Sequence, residues 1–251
     1  MGRWLERKTD VNVVVTENYE EMSVAAANVI AEQLKAKPDS VLGLATGTTP
    51  IGLYAELVRA YDAGEISFAN AQSFNLDEYR GLPGTHDQSY RYFMQDNLFD
   101  HVDIDVEKTH VPDGSMEDAQ AACDAYEHAI AQAGGVDLQL LGLGHNGHIG
   151  FNEPCDSFPV TTHCVELTES TIQANSRLFD SADEVPREAY TMGIGTIMKA
   201  RKILLVVNGA GKAEIVRDVL RGPVVPQVPA SILQLHPDVT VVLDKEAAAA
   251  L

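Results

Sequence analysis

Three of the chain's 251 residues are cysteine and one is tryptophan, and its 18 lysines and arginines are outnumbered by 37 aspartates and glutamates. Each shortage excludes something. Cys123, Cys155 and Cys164 are odd in number and lack C-x-x-C spacing, which argues against a disulfide framework or a zinc knuckle and fits a reducing, cytoplasmic compartment. A formal charge of −19 provides no overall field to attract nucleic acid or an anionic membrane surface. No apolar run reaches the roughly 18 residues that a bilayer requires, and the basic start, Met1 to Asp10, has no apolar segment behind it. Neither a membrane span nor a secretion signal is expected.

The rest of the composition is ordinary, with 45% hydrophobic and 22% charged residues at a length that one large α/β domain fills. Residues 1–251 are expected to form a single domain. A chain of this size buries about 70 to 75% of its unfolded surface, so neither a structural metal nor disulfides are needed to hold it. Short aliphatic or β-branched runs recur at Val11 to Val15, Val41 to Ala45, Ala71 to Asp77, Val136 to Gly144, His163 to Leu167, Lys202 to Gly209 and Val239 to Asp244. Helical spacing lies between many of them: Ala25, Ala26, Val29, Ile30 and Leu34 after Met22, and Ile215, Val216, Val219 and Leu220 later. Ser115 with Asp118 reads as a helix-start capping pair before Ala119, Ala122, Tyr126 and Ile130. Strands alternating with helices predict an α/β, Rossmann-like domain, its mostly parallel sheet covered by helices on both faces.

In open α/β sheets ligands bind beyond the carboxyl ends of the strands, and four segments at such positions are chemically unusual. Ala45-Thr46-Gly47-Thr48-Thr49-Pro50 leads from a strand into a helix, with proline where the helix begins. Backbone N–H groups, the helix dipole and threonine hydroxyls would favour an anion there, and without a Walker lysine a nucleoside triphosphate is not expected. Gly142, Gly144 and Gly147 spell G-x-G-x-x-G after a strand, but no amphipathic helix follows them, so a dinucleotide is rejected. Those glycines instead permit a tight loop that brings His148 and Glu153 together as a general acid/base and its carboxylate partner. A metal held by His145, His148 and Glu153 is the weaker reading, because their spacing matches no established zinc pattern. Phe74-Asn75-Leu76-Asp77-Glu78-Tyr79 ends a strand in two adjacent carboxylates, of which alternation allows only one to face the site. Val207-Asn208-Gly209-Ala210-Gly211-Lys212 puts a lysine at a strand mouth, where with Arg177 it could hold an anionic substrate.

From about Val41 to Asp244 the sequence resembles the glucosamine-6-phosphate deaminase family. The resemblance is carried by ATGTTP, FNLDEYRGLP with HDQSYRYFM, GLGHNGHIGFNEP, ANSRLF, GAGK and SILQLHP. The superfamily also includes 6-phosphogluconolactonases, which share G-x-G-x-x-G-H but do not continue IGFNEP. The resemblance implies that Asp77 carries a proton between sugar C2 and C1, and that His148 opens the pyranose ring with Glu153 as its charge partner. Asn146 stands where some members have aspartate, so it would orient His148 without adding charge. The phosphate would sit on Thr46, Gly47, Thr48 and Thr49 with Arg177 and Lys212, a Schiff-base role for Lys212 being the minor alternative.

Such an enzyme would take a hexosamine 6-phosphate as its only small-molecule partner. It would use no metal and no cofactor, because the aldehyde of the opened sugar itself acidifies C2. A galactosamine-6-phosphate deaminase, a 6-phosphogluconolactonase-type hydrolase and a non-catalytic phosphosugar sensor remain as alternatives. The expected assembly is a monomer or small homo-oligomer. Larger members form hexamers activated by N-acetylglucosamine 6-phosphate through basic residues just after N-E-P. The stretch from Cys155 to Val165 has no lysine or arginine, and the chain stops soon after Asp244, so that activation is not expected here.

Overall fold

The computed structural model describes residues 11–168, Ile172, Phe179 and 184–251. Among them a seven-stranded sheet runs in the order β1-β10-β9-β6-β2-β3-β5, with all neighbours parallel. Its strands are β1 (Asn12–Thr16), β2 (Val41–Leu44), β3 (Gln72–Asn75), β5 (Thr109–His110), β6 (Leu138–Leu141), β9 (Lys202–Val207) and β10 (Val239–Asp244). Every residue of β2 and β6, and every residue of β9 after Lys202, is buried. Because side chains alternate along a strand, burial of successive residues means that both faces are covered, and this explains why β9 reads as an unbroken apolar run and why β6 is apolar except for the buried Gln139.

The helices are α1 (Tyr19–Ala36), α2 (Ile51–Asp62), α3 (Tyr90–Asn97), α4 (Ala119–Gln132), the single turn α5 (Ile194–Ile197) and α6 (Ala213–Arg221). Asn18 caps α1 by accepting the Glu21 N–H, and two acidic residues follow in the first turn, where the helix dipole favours them. Met22, Ala26, Ile30 and Leu34 then bury one stripe, with Ala25 and Val29 packed at its edge. Burying a side chain such as Ile30 or Leu34 stabilises the fold by about 1.5 to 3 kcal/mol each.

The structure corrects the sequence reading in three places. The run from Ala71 to Asp77 is not one strand: β3 ends at Asn75, and Leu76 carries the chain out of the parallel sheet into β4 (Asp77–Tyr79) of a second sheet. Leu76 serves both sheets, its N–H donating to the Leu44 carbonyl and its carbonyl accepting the Met192 N–H. The run at His163 belongs to this smaller antiparallel sheet, of order β4-β8-β7, with β7 at His163–Glu166 and β8 at Glu188–Thr191. Finally, Asp118 itself caps α4 by accepting from Ala121, whereas Ser115 donates to Asp113, so the helix starts three residues later than a Ser115 cap would place it. Asp and Ser are nearly equivalent caps, and which one is used depends on where packing begins the helix.

Candidate active site

A cleft of about 290 Å³ lies beyond the carboxyl ends of β2, β3, β6 and β9. Its position follows from topology, because the next strands of the large sheet lie on opposite sides of the neighbours β2 and β6, β3 beside β2 and, after the excursion through the small sheet, β9 beside β6. Thr46, Gly47, Thr48, Thr49, Asp77, His145, His148 and Lys212 all line it.

One wall is the loop between β2 and α2. Among the described residues, none of the backbone N–H groups from Thr46 to Thr49 donates to another backbone carbonyl, so they remain available to an anion. The threonines are not equivalent, however. The Thr49 hydroxyl donates to Asn208 Oδ1 at 2.8 Å, tying this loop to the turn after β9, whereas the Thr46 and Thr48 hydroxyls bond to none of the described residues. Nor is the α2 N-terminus wholly free, since Gly52 donates to the Tyr19 hydroxyl at 2.9 Å and that hydroxyl donates to the carbonyls of Thr48 and Thr49. Tyr19 thus braces the loop from the start of α1. Sequence reasoning missed it because it lies about thirty residues away.

The second wall is the turn after β9, where the Gly209 N–H donates to both carboxylate oxygens of Asp244 at the end of β10. The turn delivers Lys212, whose ammonium donates to the Leu143 carbonyl at 2.6 Å. Burial pushes its pKa down, so an anion placed here would meet a poorly solvated cation. Arg177, the other expected cation, lies outside the described residues.

The third wall is the loop after β6. An ideal Cβ at Gly144 would stand 2.3 Å from the His148 ring, so glycine there makes room for the imidazole. His148 Nδ1 lies 3.1 Å from Glu153 Oε1, close enough for a charge contact but not aligned as a hydrogen bond. The contact holds the Glu153 carboxyl below the usual carboxylate range, with the Asn146 amide adding to the effect. Asn146 does hydrogen-bond to His148, as the sequence reading expected, but through the backbone and not the ring. Its amide donates to Glu153 Oε2, and its oxygen accepts the His148 backbone N–H. Asn146 is thus tied to the Glu153 carboxylate and to the loop backbone at His148. Cys155 stands apart, exposed, its thiol directed to the Ser157 carbonyl. Among the described residues, no group of three His, Cys, Asp or Glu side chains gathers closely enough to hold a metal ion.

The floor is Asp77. Its carboxyl is buried, and its pKa is pushed up to about 8, first by desolvation and then by the nearby charge of Glu78. Glu78 points the other way, into a separate cavity of about 380 Å³. There it accepts N–H groups from Tyr79 and from Tyr90 and Arg91 at the start of α3, so its role is to anchor that helix. Two further lining residues, Tyr90 and Phe151, stack with ring planes 6° apart and centroids 6.2 Å apart. Both stand inside the family-like motifs, but nothing in their spacing marks them as cleft residues.

Residues 16–242 match the family described as glucosamine-6-phosphate isomerases/6-phosphogluconolactonase. The chain is 55% identical over 238 residues to a glucosamine-6-phosphate deaminase of Thermoanaerobacter pseudethanolicus, covering 95% of this chain and 94% of that one. It is 55% identical over 238 residues to one from Clostridium perfringens, covering 95% and 98%. A solved monomeric glucosamine-6-phosphate deaminase superimposes with a TM-score of 0.92 at 47% identity, over 96% of this chain and 100% of that one. The 6-phosphogluconolactonase of Trypanosoma brucei, at 22% identity and a TM-score of 0.75 over 96% and 99%, shares the fold.

Proposed function

Because the chain belongs to the family of glucosamine-6-phosphate isomerases and 6-phosphogluconolactonases, we propose that it converts glucosamine 6-phosphate and water to fructose 6-phosphate and ammonia. The observation that carries this reading is that a buried carboxyl, Asp77, and a carboxylate-paired imidazole, His148, line the same cleft as an anion-ready loop and Lys212. The phosphate docks on Thr46, Gly47, Thr48 and Thr49 with Lys212, and Arg177 joins them. His148, its charge supported by Glu153 and that pair braced by Asn146, moves the proton that opens the pyranose. Asp77 then takes the C2 proton, acidified by the new aldehyde, and returns it at C1. The enolamine becomes a ketimine, water adds to C2, and the C–N bond breaks to release ammonia. Both proton positions are met by groups that the cleft already holds, so each step is general acid/base chemistry, with a contribution of about 10² to 10⁴ from each positioned group.

Residues 1–251 act as one such domain. Likeness to a monomeric deaminase supports a monomer, and the free thiols together with a phosphorylated substrate support a cytoplasmic setting. No helix among the described residues is long and apolar enough to cross a membrane.

The test is to measure ammonia and ketose phosphate from purified protein, without added metal or nucleotide, across glucosamine, galactosamine and mannosamine 6-phosphates, with 6-phosphogluconolactone as a hydrolysis control. Fastest ammonia release from glucosamine 6-phosphate is expected, on hyperbolic rate curves that N-acetylglucosamine 6-phosphate does not steepen or straighten. Lactone hydrolysis without ammonia release would overturn the reading.

A further inference from the structure

We propose that Thr191 is a positioning residue that fixes the distance between the Asp77 carboxyl and the loop carrying His148 and Glu153; the inference rests on the reaction proposed above. Asp77 and His148 arrive on separate parts of the fold, one on the small sheet and the other on the loop after β6. Something must hold them in register, because proton transfer between sugar carbons tolerates little misplacement.

Thr191 stands opposite Asp77 in the antiparallel β4–β8 pair, so both side chains leave the same face. It is fully buried, and its hydroxyl oxygen accepts the Phe151 N–H at 3.0 Å. Phe151 lies between His148 and Glu153, so this bond grips the middle of the reactive segment. The fit is close. Gly150 adopts a φ of +58°, and an ideal Cβ there would come 2.7 Å from Thr191 Oγ1 and 3.6 Å from Asp77 Oδ2. Only a residue without a side chain lets the loop sit between those two groups. One position further on, Asn152 Nδ2 donates to the Met192 carbonyl at 2.8 Å, and the Met192 N–H donates to Leu76 at 2.7 Å. The end of β8 is thus a brace with one arm on the Asp77 segment and the other on the His148 loop. The phosphate loops hang from the large sheet, and among the described residues no hydrogen bond joins Thr191 or Met192 to the Thr46–Thr49 loop or to Lys212, so a fault in the brace should alter turnover more than binding.

Serine and alanine at this position both lack the threonine methyl and differ from each other only in the hydroxyl. T191S is expected to keep kcat within about threefold of the parent, and T191A to lose about 10- to 100-fold. KM and the inhibition constant for inorganic phosphate should stay within about twofold in both. Amide exchange at Phe151 should be fast in T191A and remain protected in T191S. If T191A does not fold, T191V restores the volume without the hydroxyl and carries the same comparison. Equal kcat in the hydroxyl-bearing and hydroxyl-free variants would overturn the proposal, as would a parallel rise of KM and the phosphate inhibition constant. Exchange at Phe151 reads the contact without substrate. An inactive parent whose Phe151 amide is protected therefore counts against the reaction, and an active parent with indifferent variants counts against the brace.

Discussion

The two sheets of this protein divide the work of one cleft. The large parallel sheet contributes the anion machinery: the Thr46–Thr49 loop after β2 and the Lys212 turn after β9, joined by the Thr49–Asn208 hydrogen bond. The small antiparallel sheet contributes Asp77 and the brace at the end of β8. Backbone N–H groups and a dipole suit the first task, since parallel strands feed into loops and helix starts that point at the same edge. The second task needs a carboxyl whose pKa lies far from its solution value, and burial between sheets supplies that. Binding and chemistry on separate supports should separate in kinetics.

The strongest attempt to break this division is Asp77→Asn. It should lower kcat by about 10² to 10⁴ while leaving KM and phosphate inhibition near the parent values, because the shuttle is lost and the anion site is untouched. Glu78→Gln, on the other face of the same strand, should do less. A larger loss from Glu78 would mean that the inward-facing carboxylate has been assigned the wrong way round.

On the other support, Lys212→Ala removes a charge-assisted contact to the phosphate, and a rise in KM of about 10- to 100-fold is expected with a much smaller change in kcat. A comparable fall in kcat at unchanged KM would show that Lys212 takes part in the chemistry instead. Tyr19→Phe is a finer probe of the same wall. It removes a donor from the Thr48 and Thr49 carbonyls and an acceptor from Gly52, so KM should rise about fivefold, as for the loss of roughly one hydrogen bond, with kcat preserved.

The last effect is read in stability rather than rate. An unfolded aspartate titrates near 3.9, whereas native Asp77 titrates at about 8. Between those values the native state holds a proton that the unfolded state has lost, so this group makes the parent less stable as pH rises, with no further loss above about 8. Asn cannot ionise. The Tm of Asp77→Asn should therefore match the parent near pH 4, exceed it by about 10 degrees at pH 7, and exceed it most at pH 9. A gap that closes with rising pH would reverse the sign of the Asp77 shift.

Much of this architecture is legible in the sequence alone. The central strands announce themselves by mostly apolar runs, and the loops after β2, β6 and β9 stand out by glycine, threonine, histidine and a lysine. These signals are local, within ten residues of one another, and so is the physics that produces them: strand burial, helix entry at Pro50, and room for a ring at Gly144. Even the choice between Asp77 and Glu78 was half legible, since alternation demands that they part, although it cannot say which one turns inward.

What the sequence determined by itself was the sheet-forming order of apolar runs and the residue types at their ends, because burial and turn chemistry are set by near neighbours. Tertiary structure alone decided that the chain leaves one sheet for another at Leu76, and that the Thr49 hydroxyl serves Asn208 across 159 positions of sequence. It also decided that Tyr19 props the anion loop and that Thr191 meets Phe151 from 40 positions away. Such partners are chosen by how packed elements lie against one another, and a hydroxyl carries no mark in the sequence of the distant N–H that it will accept.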